Sequence, residues 1–240
     1  MNKNVHFAGN HGPDFPFGWR IAGAADFNGD GYPDYVLENP STGATTISYL
    51  HNNHSIGQAA GPSLPGGWTL VGVADFNRDG HPDYLLFNAS TGGTRIWYLR
   101  NNDRIGEASG PIIPPGWTLV SSADFNRDGY PDYLLFNAST GGTRIWYMRN
   151  NDRIGEASGP NIPSGWTVVG TADFNRDGYP DYVLYNASTR GTRVWYLRNN
   201  DRIGQAAGQP NIPSGWTLVG TADFNRDGHP DYILDKPVTP

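Results

Sequence analysis

Cysteine is absent from the 240 residues, so no disulfide framework holds this chain together. No apolar run approaches the ~18 residues of a membrane-spanning helix. The opening Met1-Asn2-Lys3-Asn4-Val5-His6-Phe7 has no apolar core of the kind a signal peptide carries. No dense basic stripe is present, which argues against nucleic acid as a partner. A hydrolase needs a nucleophile with a base, or paired acids. The six histidines form no repeating constellation, however, and serines such as Ser90, Ser139 and Ser188 recur within turns. The expectation is a protein without catalytic activity. Helical periodicity is missing as well. Glycine (32) and proline (19) punctuate the chain at fixed intervals of about ten residues, as in a protein built of short strands and turns.

One nine-residue stretch occurs five times. Its first copy is Asp26-Phe27-Asn28-Gly29-Asp30-Gly31-Tyr32-Pro33-Asp34, and the others begin at Asp75, Asp124, Asp173 and Asp223. Three carboxylates and an amide carbonyl alternate at positions 1, 3, 5 and 9, and oxygen donors at that spacing suit a hard cation, Ca²⁺ above all. Position 6 is always glycine, as a sharp turn requires. Position 7 can offer its backbone carbonyl, which leaves its side chain free to vary. The candidate ligands are therefore Asp26, Asn28, Asp30, Tyr32 and Asp34; Asp75, Asn77, Asp79, His81 and Asp83; Asp124, Asn126, Asp128, Tyr130 and Asp132; Asp173, Asn175, Asp177, Tyr179 and Asp181; and Asp223, Asn225, Asp227, His229 and Asp231. About five Ca²⁺ are expected, one per repeat. Position 12 of the first loop is Leu37, where an EF-hand places a bidentate Glu, and the flanks read as strands, so this is not an EF-hand. Charge distribution agrees. The chain carries −6 overall, but the five loops hold 15 of the 23 acidic residues and four arginines, a net −11 against +5 elsewhere.

A Gly-Trp opens each unit, with tryptophans at 19, 68, 117, 166 and 216. Residues 67–115 and 116–164 differ at six of 49 positions. The second unit offers four strands: Trp68–Phe76, Asp83–Asn88, Thr94–Arg100 and Arg104–Ser109. Four short strands in a period of about 49 make a propeller blade. The expected fold is all-β, a five-bladed β-propeller forming one domain over 1–240, with repeats at about 18–66, 67–115, 116–164, 165–214, and 215–240 plus 1–17. Gly12, Pro13, Pro16 and Gly18 match Gly110, Pro111, Pro114 and Gly116, so the N-terminal segment is expected to dock beside residues 216–234 and close the last blade. No third strand follows Pro240, which leaves a monomer with a short last blade, or a dimer in which a second chain completes it.

Gly-Trp-x-Leu-Val-Gly-x-Ala-Asp-Phe-Asn-x-Asp-Gly-x-Pro-Asp-Tyr resembles the FG-GAP/VCBS repeat family over essentially residues 18–240. The resemblance implies an integrin-like propeller with Ca²⁺ in the first hairpin of each blade, held by the residues named above. The first unit departs from the others: Ser48 stands at the place of Trp97, His51 and His54 at those of Arg100 and Asp103, and Gly29 at that of the loop arginines. Asn88, Asn137 and Asn186 begin glycosylation sequons, but Asn and Ser there are read as turn residues. Two functional classes remain: a calcium-stabilised scaffold binding a protein, and a lectin with one glycan site per blade or blade junction. Loops without the twelfth-position Glu bind more weakly than cytosolic buffers, so an extracellular location is expected.

Overall fold

The computed structural model describes residues 15–206 and 209–236, and all of their regular structure is β. Blade 1 consists of β1 (Arg20–Ala25), β2 (Asp34–Glu38), β3 (Thr45–His51) and β4 (His54–Ala60). Blade 2 has β5 (Thr69–Ala74), β6 (Asp83–Asn88), β7 (Gly93–Arg100) and β8 (Asp103–Ser109). Blade 3 has β9 (Thr118–Ala123), β10 (Asp132–Phe136), β11 (Thr143–Arg149) and β12 (Asp152–Ser158). Blade 4 has β13 (Thr167–Ala172), β14 (Asp181–Asn186), β15 (Gly191–Arg198) and β16 (Asp201–Gln205). The last unit contributes β17 (Thr217–Ala222) and β18 (Asp231–Asp235). Each of the first four is a four-stranded antiparallel meander; the fifth is a two-stranded sheet among the described residues. The four strands expected in the second unit are those observed, to within two residues at each boundary.

The second strand of each blade explains how the ring holds together. It reads apolar at almost every position, as a strand buried on both faces must. In β6, Tyr84 and Leu86 pack in a cluster with Phe27, Val36, Ile47 and Leu64 of blade 1. Leu85 and Phe87, alternating with them, pack in a cluster with Leu119, Tyr133 and Leu135 of blade 3. The period of two thus assigns each face of a blade to one neighbour. Each such side chain stabilises the ring by roughly 1.5–3 kcal/mol on full burial. The core is in this way divided into layers between blades.

The first strands β1, β5, β9, β13 and β17 stand side by side around the axis, and β17 lies against β1 to complete the circle. They enclose a cavity of about 210 Å³ lined by small residues such as Gly23, Gly72, Ser122, Gly170 and Thr221. The register of each slips once, as between Ile21 and Gly23 or Leu70 and Gly72, an extra-residue bulge that increases local twist. At the closing junction the rings of Tyr35 and Phe224 meet edge to face at 5.1 Å, and Ile21, Leu37, Leu50, Phe224 and Ile233 form one buried cluster. Phe15 joins this cluster, with its ring 5.9 Å from that of Tyr35. Of the N-terminal segment, 1–17, expected to dock beside residues 216–234, residues 1–14 lie outside the described residues.

The remaining turns follow the residues that occupy them. Asn88 Oδ1 accepts from the backbone N–H of Ser90 and of Thr91 (3.0 and 3.1 Å), which is the turn role read from the sequence. Asn101 takes the left-handed conformation at the hairpin between β7 and β8, and the neighbouring Asn102 donates to the carbonyl of Ala60 in the preceding blade.

Candidate metal loops

All five nine-residue stretches lie where the sequence puts them, in the hairpin between the first two strands of a blade, and hence on one rim of the ring. Within each loop the side-chain oxygens turn inward over the backbone. In blade 2, Asp75 accepts from the N–H of Asp79 through Oδ1 (3.1 Å) and of Gly80 through Oδ2 (2.9 Å). Asn77 Oδ1 accepts from the N–H of Asp79 (2.9 Å), and Asp79 Oδ1 from the N–H of His81 (3.0 Å). Blades 3, 4 and 5 repeat these contacts residue for residue. Such a nest of Asx turns needs φ near +87° at Gly80, which an L side chain adopts only with strain. The first loop keeps the other contacts, but its Asp26 Oδ1 accepts from the N–H of Gly29 (2.7 Å) rather than from that of Asp30.

The ninth-position aspartate serves differently. Asp83 is fully buried; its Oδ2 accepts from Phe76 N (3.1 Å) and its Oδ1 from Leu99 N on β7 (2.9 Å). Asp34, Asp132 and Asp181 make the same pair of bonds, to Phe27 and Leu50, Phe125 and Met148, and Phe174 and Leu197. One carboxylate therefore ties the start of the loop, the second strand and the third strand together. Burial pushes the carboxyls of Asp83, Asp132 and Asp181 up to about 7 against the pull of these backbone donors, and raises that of Asp34 as well. Among the described residues no three acidic or imidazole side chains converge as a ready-made cation site. The donor set is nonetheless all oxygen and fits a hard cation: two carboxylates and an amide at the mouth, with a third carboxylate at the base. The lone pairs not engaged by N–H groups are those a cation would draw on.

Position 7 packs outward. Tyr130 lies between Arg78 of the preceding loop (5.0 Å) and Arg149 of its own blade (6.0 Å), and Tyr179 between Arg127 (4.9 Å) and Arg198 (5.8 Å). Tyr32 lies between Arg226 (5.2 Å) and the ring of His51 (4.3 Å). The arginines are the feature that reading the residues missed. Each sits at position 4 in the left-handed conformation, φ 59–63°, and reaches across to the next loop. Arg176 donates from Nε to the carbonyl of Gly228 (2.9 Å) and from Nη2 to that of Asp227 (2.8 Å). Their recurrence at one loop position, with Gly29 the exception, was the available signal.

Apart from these loops, the third-strand tryptophans Trp97, Trp146 and Trp195 are buried core residues, at most 2% exposed. They are not open platforms for a sugar ring.

A ring of antiparallel four-stranded blades with acidic first-hairpin loops on one rim defines a β-propeller of the repeat type. The FG-GAP-like repeat family matches residues 26–86, 75–135, 124–184 and 173–234, and the chain belongs to that family. No curated protein matches it. Among solved structures it is similar to the Tc holotoxin pore of Photorhabdus luminescens, at 14% identity and a TM-score of 0.47 over 91% of this chain and 13% of that one. A protein of unknown function from Bacteroides caccae is also similar, at 12% identity and a TM-score of 0.46 over 86% and 66%. So is the biofilm matrix protein Bap1 of V. cholerae, at 18% identity and a TM-score of 0.35 over 83% and 33%. The chain thus spans a small part of the first of these and about two thirds of the second.

Proposed function

We propose that this propeller is a calcium-stabilised, non-enzymatic binding scaffold that works outside the cell, with one Ca²⁺ in each first-hairpin loop. FG-GAP repeat propellers are scaffold and binding folds, and the calcium reading rests on one observation. The same all-oxygen donor set recurs in five loops, and in four of them its ninth-position carboxylate is hydrogen-bonded to both the loop and the third strand. The residues that would hold the ion are those at positions 1, 3, 5 and 9 with the position-7 carbonyl, from Asp26 to Asp34 in the first loop and their equivalents in the other four. A cation there offsets the mutual repulsion of the carboxylates and links the loop to the blade. Weak sites fill at extracellular calcium levels, which supports secretion. Closure of β17 onto β1 supports a monomer.

The test is thermal unfolding of protein shown to be metal-free, with and without Ca²⁺. An ion that binds only the folded chain stabilises it by about 2.7 kcal/mol per site at a hundredfold excess over Kd. The expected result is a large rise in Tm with Ca²⁺. A Tm that ignores both calcium and chelator would overturn the reading.

A further inference from the structure

Outside the loops, the outer halves of blades 2 and 3 carry a repeated cluster of two arginines, two tryptophans and one glutamate. In blade 2, Glu107 Oε2 accepts from Arg104 Nη2 (2.7 Å) and from Trp97 Nε1 (3.1 Å), and stands 3.5 Å from Arg95 Nη1. Each guanidinium lies on a tryptophan face: Arg95 on Trp68 at 4.6 Å and Arg104 on Trp97 at 4.3 Å. Blade 3 repeats the pattern. Glu156 is 2.6 Å from Arg153 and 3.7 Å from Arg144, and these arginines stack on Trp146 at 4.3 Å and Trp117 at 4.6 Å. Stacking holds the cations in place, and the glutamate is the anion that belongs between them.

Blade 4 keeps everything except the anion. Arg193 lies on Trp166 at 4.0 Å and Arg202 on Trp195 at 4.1 Å. The residue paired across from Trp195 is Gln205, in the register where Glu107 faces Trp97. Its neutral Oε1 accepts from Arg202 Nη2 (2.7 Å), and neither arginine has an acidic partner among the described residues. Trp195 is 2% exposed and its Nε1 has no acceptor among the described residues, whereas the equivalent N–H of Trp97 donates to the glutamate. Trp146 Nε1 is also without an acceptor although Glu156 is present, so it is the missing charge that sets blade 4 apart.

We propose that blade 4 carries a binding site for one oxyanion, a sulfate or carboxylate group, which takes between Arg193 and Arg202 the place that Glu107 and Glu156 fill in the sister blades. Two stacked guanidiniums are left without a carboxylate among the described residues, and a planar or tetrahedral oxyanion restores the charge-assisted bonds that the glutamate makes in the sister blades. The side chain of Gln205 can turn its N–H₂ to the ligand. None of these residues belongs to the metal loops, so the inference does not depend on calcium. The sources sharing this chemistry are a free inorganic anion and the acidic group of a sugar. Both arginines are exposed, so binding weakens as ionic strength rises.

The test is calorimetric titration of the whole chain with inorganic sulfate at low ionic strength against a chloride background, then with a sulfated monosaccharide. The expected result is one saturable sulfate site per chain. Gln205→Glu weakens it by about tenfold or more, the scale of a charge-assisted bond lost to an internal competitor. That variant carries the residue blades 2 and 3 already hold in this register, so the fold tolerates it. Conversely, Glu107→Gln with Glu156→Gln raises the stoichiometry to three. Tighter binding of the sulfated sugar than of sulfate identifies an acidic glycan as the source, and equal or weaker binding identifies the free anion. Absence of saturable sulfate uptake, or uptake unchanged by Gln205→Glu, would overturn the proposal.

Discussion

The first blade and the three that follow it share one meander and one set of loop donors, yet they are joined to their neighbours differently. From blade 2 onward, each loop lays its position-4 arginine on the next loop: Arg78 on Tyr130, Arg127 on Tyr179, Arg176 on Gly228 and Asp227, and Arg226 back on Tyr32. Blade 1 has Gly29 there, and among the described residues nothing lies within 4 Å of the space a side chain would take at Gly80 in the loop it faces. Blade 1 also ends its second strand with buried Glu38, paired to Arg20 at 2.7 Å, where blades 2 to 4 have Phe87, Phe136 and Tyr185. The blade still forms. A blade of this architecture therefore does not need an arginine of its own at that loop position.

The largest expected effect comes from striking what the blades share. Asp132→Ala leaves the N–H groups of Phe125, Asn126 and Met148 without their acceptor. A loss of about 3 kcal/mol or more should appear in urea unfolding, on the scale of unsatisfied buried donors. Asp34→Ala should cost nearly as much, since Phe27 N and Leu50 N lose theirs. If blade 1 proves indifferent, the aspartate is not the common element.

Next comes pH. In metal-free protein Asp83, Asp132 and Asp181 hold their protons up to about 7, while the ordinary value is 3.8. The folded state therefore binds more protons than the unfolded one between these limits, and its stability is greatest below about pH 4 as far as these groups are concerned. It falls as pH rises to 7. Saturating Ca²⁺ favours the ionised carboxylates and should reverse the slope. Melting temperatures at pH 4.5 to 7.5 in chelator and in calcium check the sign, and Asp132→Asn should flatten the chelator curve.

A smaller effect is expected from giving blade 1 the strand ends of blade 2. Arg20→Thr with Glu38→Phe replaces a part-buried ion pair by an aromatic of the sister blades. Such exchanges are often neutral or stabilising. With the Arg20 side chain 43% exposed, the gain should stay within about 1 kcal/mol, read from the urea midpoint. The smallest effect is that of the clasp. Arg176→Gly removes two exposed bonds to carbonyls but relieves the left-handed strain at φ 63°, so the net change should be about 0.5 kcal/mol or less. Arg176→Ala, which loses the same two bonds but keeps a side chain at the left-handed position, separates the two contributions when set beside Arg176→Gly.

Much of this was legible beforehand. Glycine and proline punctuation marked the strands, and the acidic loops stood out because five copies kept the same residue types in register. The arginine clasp was not legible, because Arg176 and its partners are 51 and 52 residues apart and period alone does not say which loop a side chain reaches. Nor could the role of the ninth aspartate be read fully. Its bond to Leu99 N spans 16 residues and depends on β7 lying beside β6. The aromatic residues expected as core or as sugar platforms were settled only by packing, which buries Trp97, Trp146 and Trp195 at the blade interfaces.

The one-way reach of the clasp has a consequence for how such a ring can grow. The arginine of a loop reaches to the unit that comes after: the third, fourth and first units receive it on a tyrosine, Tyr130, Tyr179 and Tyr32, and the last unit on the carbonyls of Asp227 and Gly228. A copied unit inserted between two others brings both halves of the joint with it, so the seam on either side is already complete. Residues 67–115 and 116–164, which differ at six of 49 positions, are two such interchangeable units. Gly29 then marks the one loop among the described residues without that arginine, where the first two units are joined by their buried cluster and by Asn102 on Ala60.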